Sequence, residues 1–322
     1  MNKIRRMAVV GMALSAICGS AMAANTFPDR PITLLVPTPP GGTTDTIARL
    51  LANRLSSAFG QSVVVENRSG GATTIAGQAL LNQPADGHTV LLATFATIAN
   101  PYLMKSVPYT FRDFDPVSLV VNTPNVLIAG PAVTYSSLAE LIAAAKAKPG
   151  SETFASTSNG GSPHLSGELF NSMAGLDIRH IPYPGSAPAM TALLGGHVAV
   201  MYDNLPSALG QIQAGKVKAL AVTTSQRVPV LSDVPTFAEQ GYPEYEVNAW
   251  FGLLAKKGTP PAILETWHTE VGKALATPEV RDRLTSLGAI IVGNSPAEFS
   301  AYLEAEDRKW SQAIKAANIQ PE

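Results

Sequence analysis

Short apolar runs and amphipathic segments alternate along the chain. The first apolar run, Ile32–Val36, is typical of a buried strand. Residues 44–59 carry apolar side chains at steps of four and are followed by Gly60, which predicts a helix that ends there. A strand at residues 63–67, a helix at residues 73–82 and a strand at residues 89–93 continue the pattern. This order predicts a parallel sheet with helices on both faces.

A second unit repeats this order, and a mostly helical C-terminus follows it. The predicted strands lie at residues 125–130, 153–155, 178–182, 198–202 and 217–222. The predicted helices lie at residues 137–147, 160–173, 186–194 and 204–214. We therefore expect an α/β protein of two lobes, with residues 24–121 plus 248–322 in lobe 1 and residues 122–247 in lobe 2. The chain should cross between the lobes twice, at residues 118–124 and 245–251.

The N-terminal segment predicts the cellular compartment. Lys3, Arg5 and Arg6 precede an apolar stretch, and the small-x-small triplet at residues 21–23 resembles a cleavage site. We predict a secretory signal peptide over residues 1–23 and a periplasmic protein, although a buried N-terminal helix would also fit the pattern. Cys18, the single cysteine, lies inside this segment, so the mature chain should contain no disulfide and no thiolate metal site.

Charge and length limit the classes of function. Cleavage would remove three basic residues, so 20 basic and 24 acidic residues would remain, with a net charge of −4. Because the chain has no basic run, nucleic acid and anionic membrane surfaces are not expected partners. A mature length of about 300 residues is typical of two ordinary domains.

The turn after the first strand is the first candidate site. Pro40, Gly41, Gly42, Thr43, Thr44 and Asp45 combine a tight turn with a hydroxyl-rich helix start. Unpaired backbone N–H groups at such a start suit an anion. No Lys or Arg lies between Arg30 and Arg49, so amides and hydroxyls would hold that anion. The alternative is an ordinary helix cap supplied by Thr44 or Asp45.

A second turn repeats the arrangement in the second unit. It contributes the candidate residues Thr157, Ser158, Asn159, Gly160, Ser162 and His164. Two such turns on facing lobes would hold one ligand from both sides. The alternative is again helix capping, here by Ser162 with Pro163 at the first helical position.

Three further candidates follow predicted strands and should share the same sheet edge. They are Thr94, Tyr183 and Asp203. Asp203 would suit a ligand that donates a hydrogen bond, or it would order the second turn. The alternative for Asp203 is a cap of the following helix.

Catalysis and metal binding are poorly supported by the sequence. Ser162 and His164 lie two positions apart at a helix start, so they would not face each other, and no nucleophile-elbow motif is present. The histidines lack metal-site spacing. We expect neither an enzyme nor a bound metal or cofactor.

Several motifs, taken together, resemble one family. They are Pro28-Asp29-Arg30-Pro31-Ile32, Pro40-Gly41-Gly42 with Asp45, Gly60-Gln61-Ser62-Val63-Val64-Val65-Glu66-Asn67-Arg68, Ala85-Asp86-Gly87-His88-Thr89, Tyr183 with Gly185, Leu194-Gly195-Gly196-His197-Val198 and Val234-Pro235-Thr236. The chain thus resembles the tripartite tricarboxylate transporter receptors, also called the Bug family of periplasmic solute-binding proteins. The resemblance covers nearly the whole mature chain.

The resemblance implies a type II-like Venus-flytrap fold and a transport role. It implies capture of a small organic carboxylate by the turns at residues 41–45 and 157–162, partly through ordered waters, and a pocket that includes Asp203. It also implies delivery to the membrane permease subunits of a cation-coupled transporter. The Pro39-Pro40 pair and Ser69-Gly70-Gly71 depart from the usual family pattern. We expect a monomer. A sensor that feeds a two-component system would use the same pocket and stays an alternative.

Overall fold

The computed structural model describes residues 27–317 and residue 319. A mixed sheet, curled into two halves, forms the centre of the molecule. Its strands are β1 (Ile32–Val36), β2 (Val63–Asn67), β3 (Thr89–Thr94), β4 (Phe114–Ala129), β5 (Thr153–Ser156), β6 (Arg179–Pro182), β7 (Val200–Asn204), β8 (Lys218–Val222), β9 (Asn248–Lys256) and β10 (Ile290–Ile291). The first half has the order β2-β1-β3-β9-β4-β10, and the second has the order β6-β5-β7-β4-β8.

Helices cover both halves of the sheet. They are α1 (Thr43–Phe59), α2 (Thr74–Leu81), α3 (Ala96–Leu103), α4 (Leu138–Ala147), α5 (Ser162–Ala174), α6 (Ser186–Leu194), α7 (Leu205–Gln213), α8 (Pro261–Ala276), α9 (Pro278–Ser286) and α10 (Pro296–Ala316). The two-lobed α/β prediction is therefore confirmed. Helix α3 is an addition to the predicted elements, because Pro101 inside it masks the helical pattern.

The expectation of a purely parallel sheet needs one correction. The pairs β1–β2, β1–β3, β5–β6 and β5–β7 are parallel. Strands β4 and β9 run antiparallel to each other and to their neighbours β3 and β7. The reason is that the chain leaves lobe 1 along β4 and returns along β9, so the two crossing strands have opposite directions.

Strand β4 belongs to both halves of the sheet. Its first part pairs with β9 as far as Pro124, and from Asn125 onward it pairs with β7 and β8. Two register shifts, next to Pro116 and Leu119, allow this 16-residue strand to bend. The change of partner lies within the predicted crossing region, while the predicted lobe boundaries stay a prediction.

Each lobe has its own apolar core, and a third cluster joins them. In lobe 1, Ile47 and Leu51 of α1 pack with Trp267 of α8. In lobe 2, helices α6 and α7 pack on β4 and β7. A further cluster, with a close contact between the rings of Phe237 and Tyr245 (4.2 Å between centroids), continues through the crossing region. Tight packing at the crossings favours movement of the lobes as rigid bodies.

The predicted signal peptide and Cys18 lie outside the described residues. Within residues 27–317, no helix combines the length and the apolar character needed to span a bilayer.

Candidate functional site

One cleft between the lobes collects the C-terminal ends of β1, β3, β5, β6 and β7. It has three neighbouring chambers, and Thr38 and Thr157 line all of them. The inner chamber is also lined by Thr44, Thr73, Thr94, Phe95, Ala96, Ser158, Gly161, Ser162, Pro163, Asn204, Ala249, Trp250 and Phe251. The side chamber is also lined by Pro39, Pro40, Gly42, Thr43, Thr44, Pro184, Gly185, Ser186, Ala187, Pro188, Asp203, Asn204 and Ser207.

The outer chamber forms the apolar mouth of the cleft. It is also lined by Pro37, Pro39, Ser69, Gly70, Gly71, Ala72, Thr73, Met104, Ser158, Asn159, Pro182, Tyr183, Pro184 and Gly185. Pro39 and the segment 69–71, where the chain departs from the family pattern, therefore lie at the mouth.

The first Gly-rich turn (residues 41–45) is held from behind by a carboxylate. Asp45 accepts hydrogen bonds from the backbone N–H of Gly41 at 3.0 Å, from Arg49 Nε at 2.9 Å and from Asn67 Nδ2 at 3.0 Å. Asn67 also donates to the carbonyl of Thr38, which ties β2 to the turn. Because the Asp45 side chain is only 6% exposed and fully engaged, it braces the turn and does not face the cleft.

The electrostatics of this brace favour the ionised carboxylate. Burial alone would raise the pKa of Asp45, but the hydrogen bonds from Arg49, Gly41 and Asn67 and the charge of Arg49 outweigh it, and the pKa is lowered. Arg49 therefore forms its ion pair with Asp45, and its side chain does not line the cleft.

The two glycines of the first turn have different reasons to be glycine. Gly41 has φ = +90°, a conformation that side chains other than glycine rarely adopt. Gly42 has an ordinary extended backbone, with φ = −88° and ψ = −179°. No protein atom lies within 4 Å of a Cβ placed on Gly42, and this residue lines the side chamber. The empty space beside Gly42 is therefore cleft space.

The second Gly-rich turn (residues 157–162) is held by neutral groups. The Ser156 hydroxyl donates to the Ser158 carbonyl, and His180 Nε2 lies 2.6 Å from Ser156 Oγ. Since that hydroxyl has a single hydrogen, Nε2 of His180 carries a hydrogen and donates. The backbone N–H of Gly160 donates to His164 Nδ1 at 3.2 Å, so His164 carries its hydrogen on Nε2.

The two histidines stack behind this turn. Their ring centroids are 4.0 Å apart with an interplanar angle of 17°. Burial lowers the pKa of His164 to about 4, and burial and the nearby His164 lower that of His180 to about 3. Both rings are therefore neutral at physiological pH.

The structure brings His164, Glu168 and His180 into one cluster, although their sequence spacing does not suggest a metal site. A ring nitrogen binds metal in its ring plane, and two nearly parallel stacked rings do not converge on one ion. One nitrogen of each ring is also engaged, with Gly160 or Ser156. The cluster supports the turn better than it would hold an ion.

Asp203 lies at the end of β7, buried to 1% exposure. Its Oδ2 accepts a hydrogen bond from Ser186 at the start of α6, and its Oδ1 accepts one from the backbone N–H of Asn204 at 2.8 Å. Burial raises the pKa of Asp203 to about 7, and these two hydrogen bonds oppose that shift only in part. Asp203 thus orders the starts of α6 and α7 and also forms part of the side-chamber wall.

Helix starts without side-chain caps surround the inner chamber and the side chamber. Helices α1, α3, α5, α6 and α7 all begin there, and none has a side-chain cap hydrogen bond. Away from the cleft, Ser137 caps α4 and Ser295 caps α10, whereas α8 and α9 begin at a proline and also have no side-chain cap. Among the described residues that line the three chambers, none is Lys, Arg or His. The cleft is electropositive through backbone dipoles and not through cationic side chains.

The lobes touch across the cleft. Thr43 Oγ1 and Ser207 Oγ lie 2.7 Å apart, within hydrogen-bond distance. On the other side, Gly160 approaches Asn100 so closely that a methyl group on Gly160 would overlap the Asn100 amide oxygen. The structure therefore describes a state with the lobes in contact.

The structure places most of the expected site residues on the cleft wall. Those that line it are Pro40, Gly42, Thr43, Thr44, Thr94, Thr157, Ser158, Asn159, Ser162, Tyr183 and Asp203. Gly41, Asp45, Gly160 and His164 are not among the lining residues, and their hydrogen bonds shape the two turns. These hydrogen bonds give the four residues a positioning role, and their contact with a ligand stays a prediction.

Other residues of the site were not selected from the sequence. Thr38, Thr73, Asn204 and Ser207 line the cleft, and buried Asn125 holds two of the lining side chains. A polar residue between the apolar runs of β4 was the available signal for Asn125.

Comparisons with known proteins agree on one family. The family model described as "Tripartite tricarboxylate transporter family receptor" matches residues 47–319. BugT of Bordetella pertussis is 39% identical over 319 residues, which cover 98% of both chains.

Two solved structures are also similar to this chain in their fold. Rpa4515 of R. palustris with adipate is 38% identical, with a TM-score of 0.89, and the match covers 92% of this chain and 100% of that one. MatC of Rhodopseudomonas palustris with bound malate is 32% identical, with a TM-score of 0.86, and the match covers 89% of this chain and 100% of that one.

Proposed function

Because this chain belongs to the tripartite tricarboxylate transporter receptor family, we propose that it captures a small organic carboxylate in the periplasm and delivers it to the membrane permease subunits of such a transporter. The two Gly-rich turns grip one carboxylate of the ligand between the lobes. Related proteins described with adipate and with malate support the ligand class.

The observation that carries this proposal is a cleft lined by free helix starts and hydroxyls. A carboxylate at a helix N-terminus gains about 0.3–1 kcal/mol from the dipole, and more when partly buried. Charge-assisted hydrogen bonds from amides and hydroxyls add about 1.5–3 kcal/mol each before ordering costs. A few such contacts approach the roughly −8 kcal/mol of micromolar binding.

One buried hydroxyl supports the same proposal. Thr38 Oγ1 is buried and, among the described residues, has no hydrogen-bond partner. Thr38 lines all three chambers. Buried polar atoms are normally paired, so a ligand oxygen is the natural partner for this hydroxyl.

We assign no catalytic step to the cleft. Ser162 Oγ donates to Asn125 at 3.2 Å, while His164 Nδ1 accepts from Gly160. The serine and the histidine therefore use different partners and do not form a nucleophile–base pair. Binding without a cationic side chain also lets release to a permease proceed without breaking an ion pair.

A thermal-shift screen of organic acids against their neutral amides tests the proposed ligand class. Ligand at 100 times Kd stabilises the folded state by about 2.7 kcal/mol. For a chain of this length we expect a rise in Tm of several degrees with at least one acid and none with its amide. The proposal is wrong if no acid shifts Tm, or if amides shift it equally.

The transport role needs a separate test. We expect a strain that lacks this receptor to lose uptake of the radiolabelled acid, and complementation to restore it. A strain that carries the Gly42→Val variant should not recover uptake. Uptake that does not depend on the receptor would contradict delivery to a permease.

A further inference from the structure

A fully satisfied asparagine lies where β4 changes its sheet partner. Asn125 has no exposed surface, and its Nδ2 donates to the carbonyl of Val247 at 3.2 Å and to Ser166 Oγ at 3.1 Å. A backbone carbonyl only accepts hydrogen bonds, so the contact with Val247 fixes which end of the Asn125 amide is NH₂. Its Oδ1 must therefore face the opposite way, toward the cleft wall.

The orientation of Asn125 determines the orientation of Asn204. Asn125 Oδ1 accepts from Asn204 Nδ2 at 2.6 Å and from Ser162 Oγ at 3.2 Å. The second hydrogen of Asn204 Nδ2 is directed to Ser162 Oγ at 3.3 Å. The hydrogens of both wall residues are thus used inside lobe 2. The Ser162 hydroxyl hydrogen therefore points to Asn125 and not into the cleft.

The group that Asn204 leaves for a ligand is a hydrogen-bond acceptor. Asn204 lines both the inner and the side chamber, and its atom outside the Asn125 network is Oδ1. Asp203 stands beside it, with its oxygens accepting from Ser186 and from the Asn204 backbone. The facing wall of lobe 1 offers the uncapped N-terminus of α1. The helix starts that suit a carboxylate therefore lie near a side-chain carbonyl that accepts a hydrogen bond.

Resting on the proposed function, we infer that the ligand carries a hydrogen-bond donor, a hydroxyl or an amino group, close to its bound carboxylate. Asn204 Oδ1 accepts this hydrogen bond, and Asn125 is the positioning residue that keeps Oδ1 turned to the cleft. When the lobes close on an acid without such a donor, the carbonyl loses water and gains no partner. A site built for a donor discriminates against the analogue that lacks it.

Matched acids that differ by one group test this inference by calorimetric titration. The probes are propionate, lactate and alanine, and succinate, malate and aspartate. We expect the hydroxy or amino member of at least one set to bind at least about tenfold more tightly than the plain acid. Asn204→Ala should abolish this ratio, which is measured within one variant, so that a common loss of affinity for all acids cancels.

Two further variants separate positioning from a general structural role. Asn125→Leu should reduce the ratio by freeing the Asn204 amide to turn. Asn171→Leu is the control, because Asn171 Nδ2 donates to the Ile178 carbonyl in the same lobe, outside the cleft. This control should keep the full ratio. If Asn125→Leu fails to fold, Asn204→Ala and the ligand pairs still decide the question.

The outcomes also separate this inference from the proposed function. Equal affinity within every set, or a ratio that survives in Asn204→Ala, would overturn the inference and leave carboxylate capture standing. If no acid binds, the proposed function fails, and the inference fails with it.

Discussion

The two Gly-rich turns both contain a glycine with positive φ followed by an extended glycine, but one is supported by a charged pair and the other by neutral groups. The first is braced by a lowered-pKa carboxylate, Asp45, which pairs with Arg49. The second is braced by two neutral histidines, His164 and His180. Arg49 is half exposed and keeps its own hydration, so the charged pair costs little to bury. No such cation stands behind the second turn among the described residues that contact it, and burial keeps that turn neutral.

This comparison shows that a helix start can be aimed at an anion by different means. A bound carboxylate would contact backbone amides from both lobes. The side chains that support those amides, a charged pair in one lobe and two neutral histidines in the other, should respond differently to mutation and to pH. Each variant below alters one lobe and leaves the other as an internal reference.

The largest loss of affinity is expected from a side chain that fills the cleft at the first turn. Gly42→Val should weaken carboxylate binding by at least about 100-fold, which corresponds to the loss of two charge-assisted hydrogen bonds. Tm should change little, because the backbone there is ordinary and no protein atom is within 4 Å of the added Cβ. Gly210→Val, at an equally open position on α7, is the control and should keep full affinity. Unchanged Kd in Gly42→Val would remove the first turn from the site.

The second largest effect is expected where the second turn approaches lobe 1. Gly160→Ala should weaken binding by about tenfold to 100-fold, because its methyl group would meet Asn100 before the lobes close. Gly175→Ala is matched, since Gly175 has a similar φ of +61° with open space around it. Both variants should lose about 1 kcal/mol of stability through backbone strain. Small-angle scattering should show ligand-induced compaction in the Gly175 variant only; equal compaction in both would contradict the closure contact.

Removing the charged brace should affect stability more than affinity. Asp45→Asn weakens hydrogen bonds with Arg49 and Gly41, and we expect a loss of about 1.5–3 kcal/mol in the free energy of unfolding. The lowered pKa of Asp45 contributes stability above the unfolded pKa of about 3.9, and this is lost as pH falls through the folded value. Urea titrations at pH 3 and pH 7 should therefore differ less for the variant than for the wild type. An equal difference would show that the brace is not ionised.

The smallest expected effect is a pH dependence of carboxylate affinity that arises from Asp203 in lobe 2. The pKa of Asp203 is raised to about 7, so the group ionises as pH rises from 6 to 8. The new charge in the side-chamber wall should weaken anion binding a few-fold. Because the folded state holds this proton more tightly, stability falls between the unfolded pKa of about 3.9 and pH 7 and is constant above. Asp203→Asn should give a flat affinity profile, and a slope that persists in this variant would point to another group.

The sequence predicted the fold well and the site in part. Local patterns sufficed for both turns, since apolar strand, glycines and helix start lie within a few residues. Strand β4 was recognised only in its second half, because Pro116 and Pro124 argue against a central strand and the bulges that accommodate them depend on β9. The signal-peptide prediction concerns residues that the structure does not describe.

The roles of individual side chains were harder to predict because distant partners decide them. Asp45 faces away from the cleft because Asn67, 22 positions later, takes its second oxygen. Ser162 donates to Asn125, 37 positions earlier, and not into the cleft. Such contacts become visible only when the strands are assembled.

A crystal structure with the acid that raises Tm most is the most direct test of the central claim. We expect one carboxylate about 3 Å from the backbone N–H groups at the starts of α1 and α5, with no Lys, Arg or His side chain in contact. A carboxylate held by a cationic side chain, or bound outside the cleft between the two turns, would contradict the account.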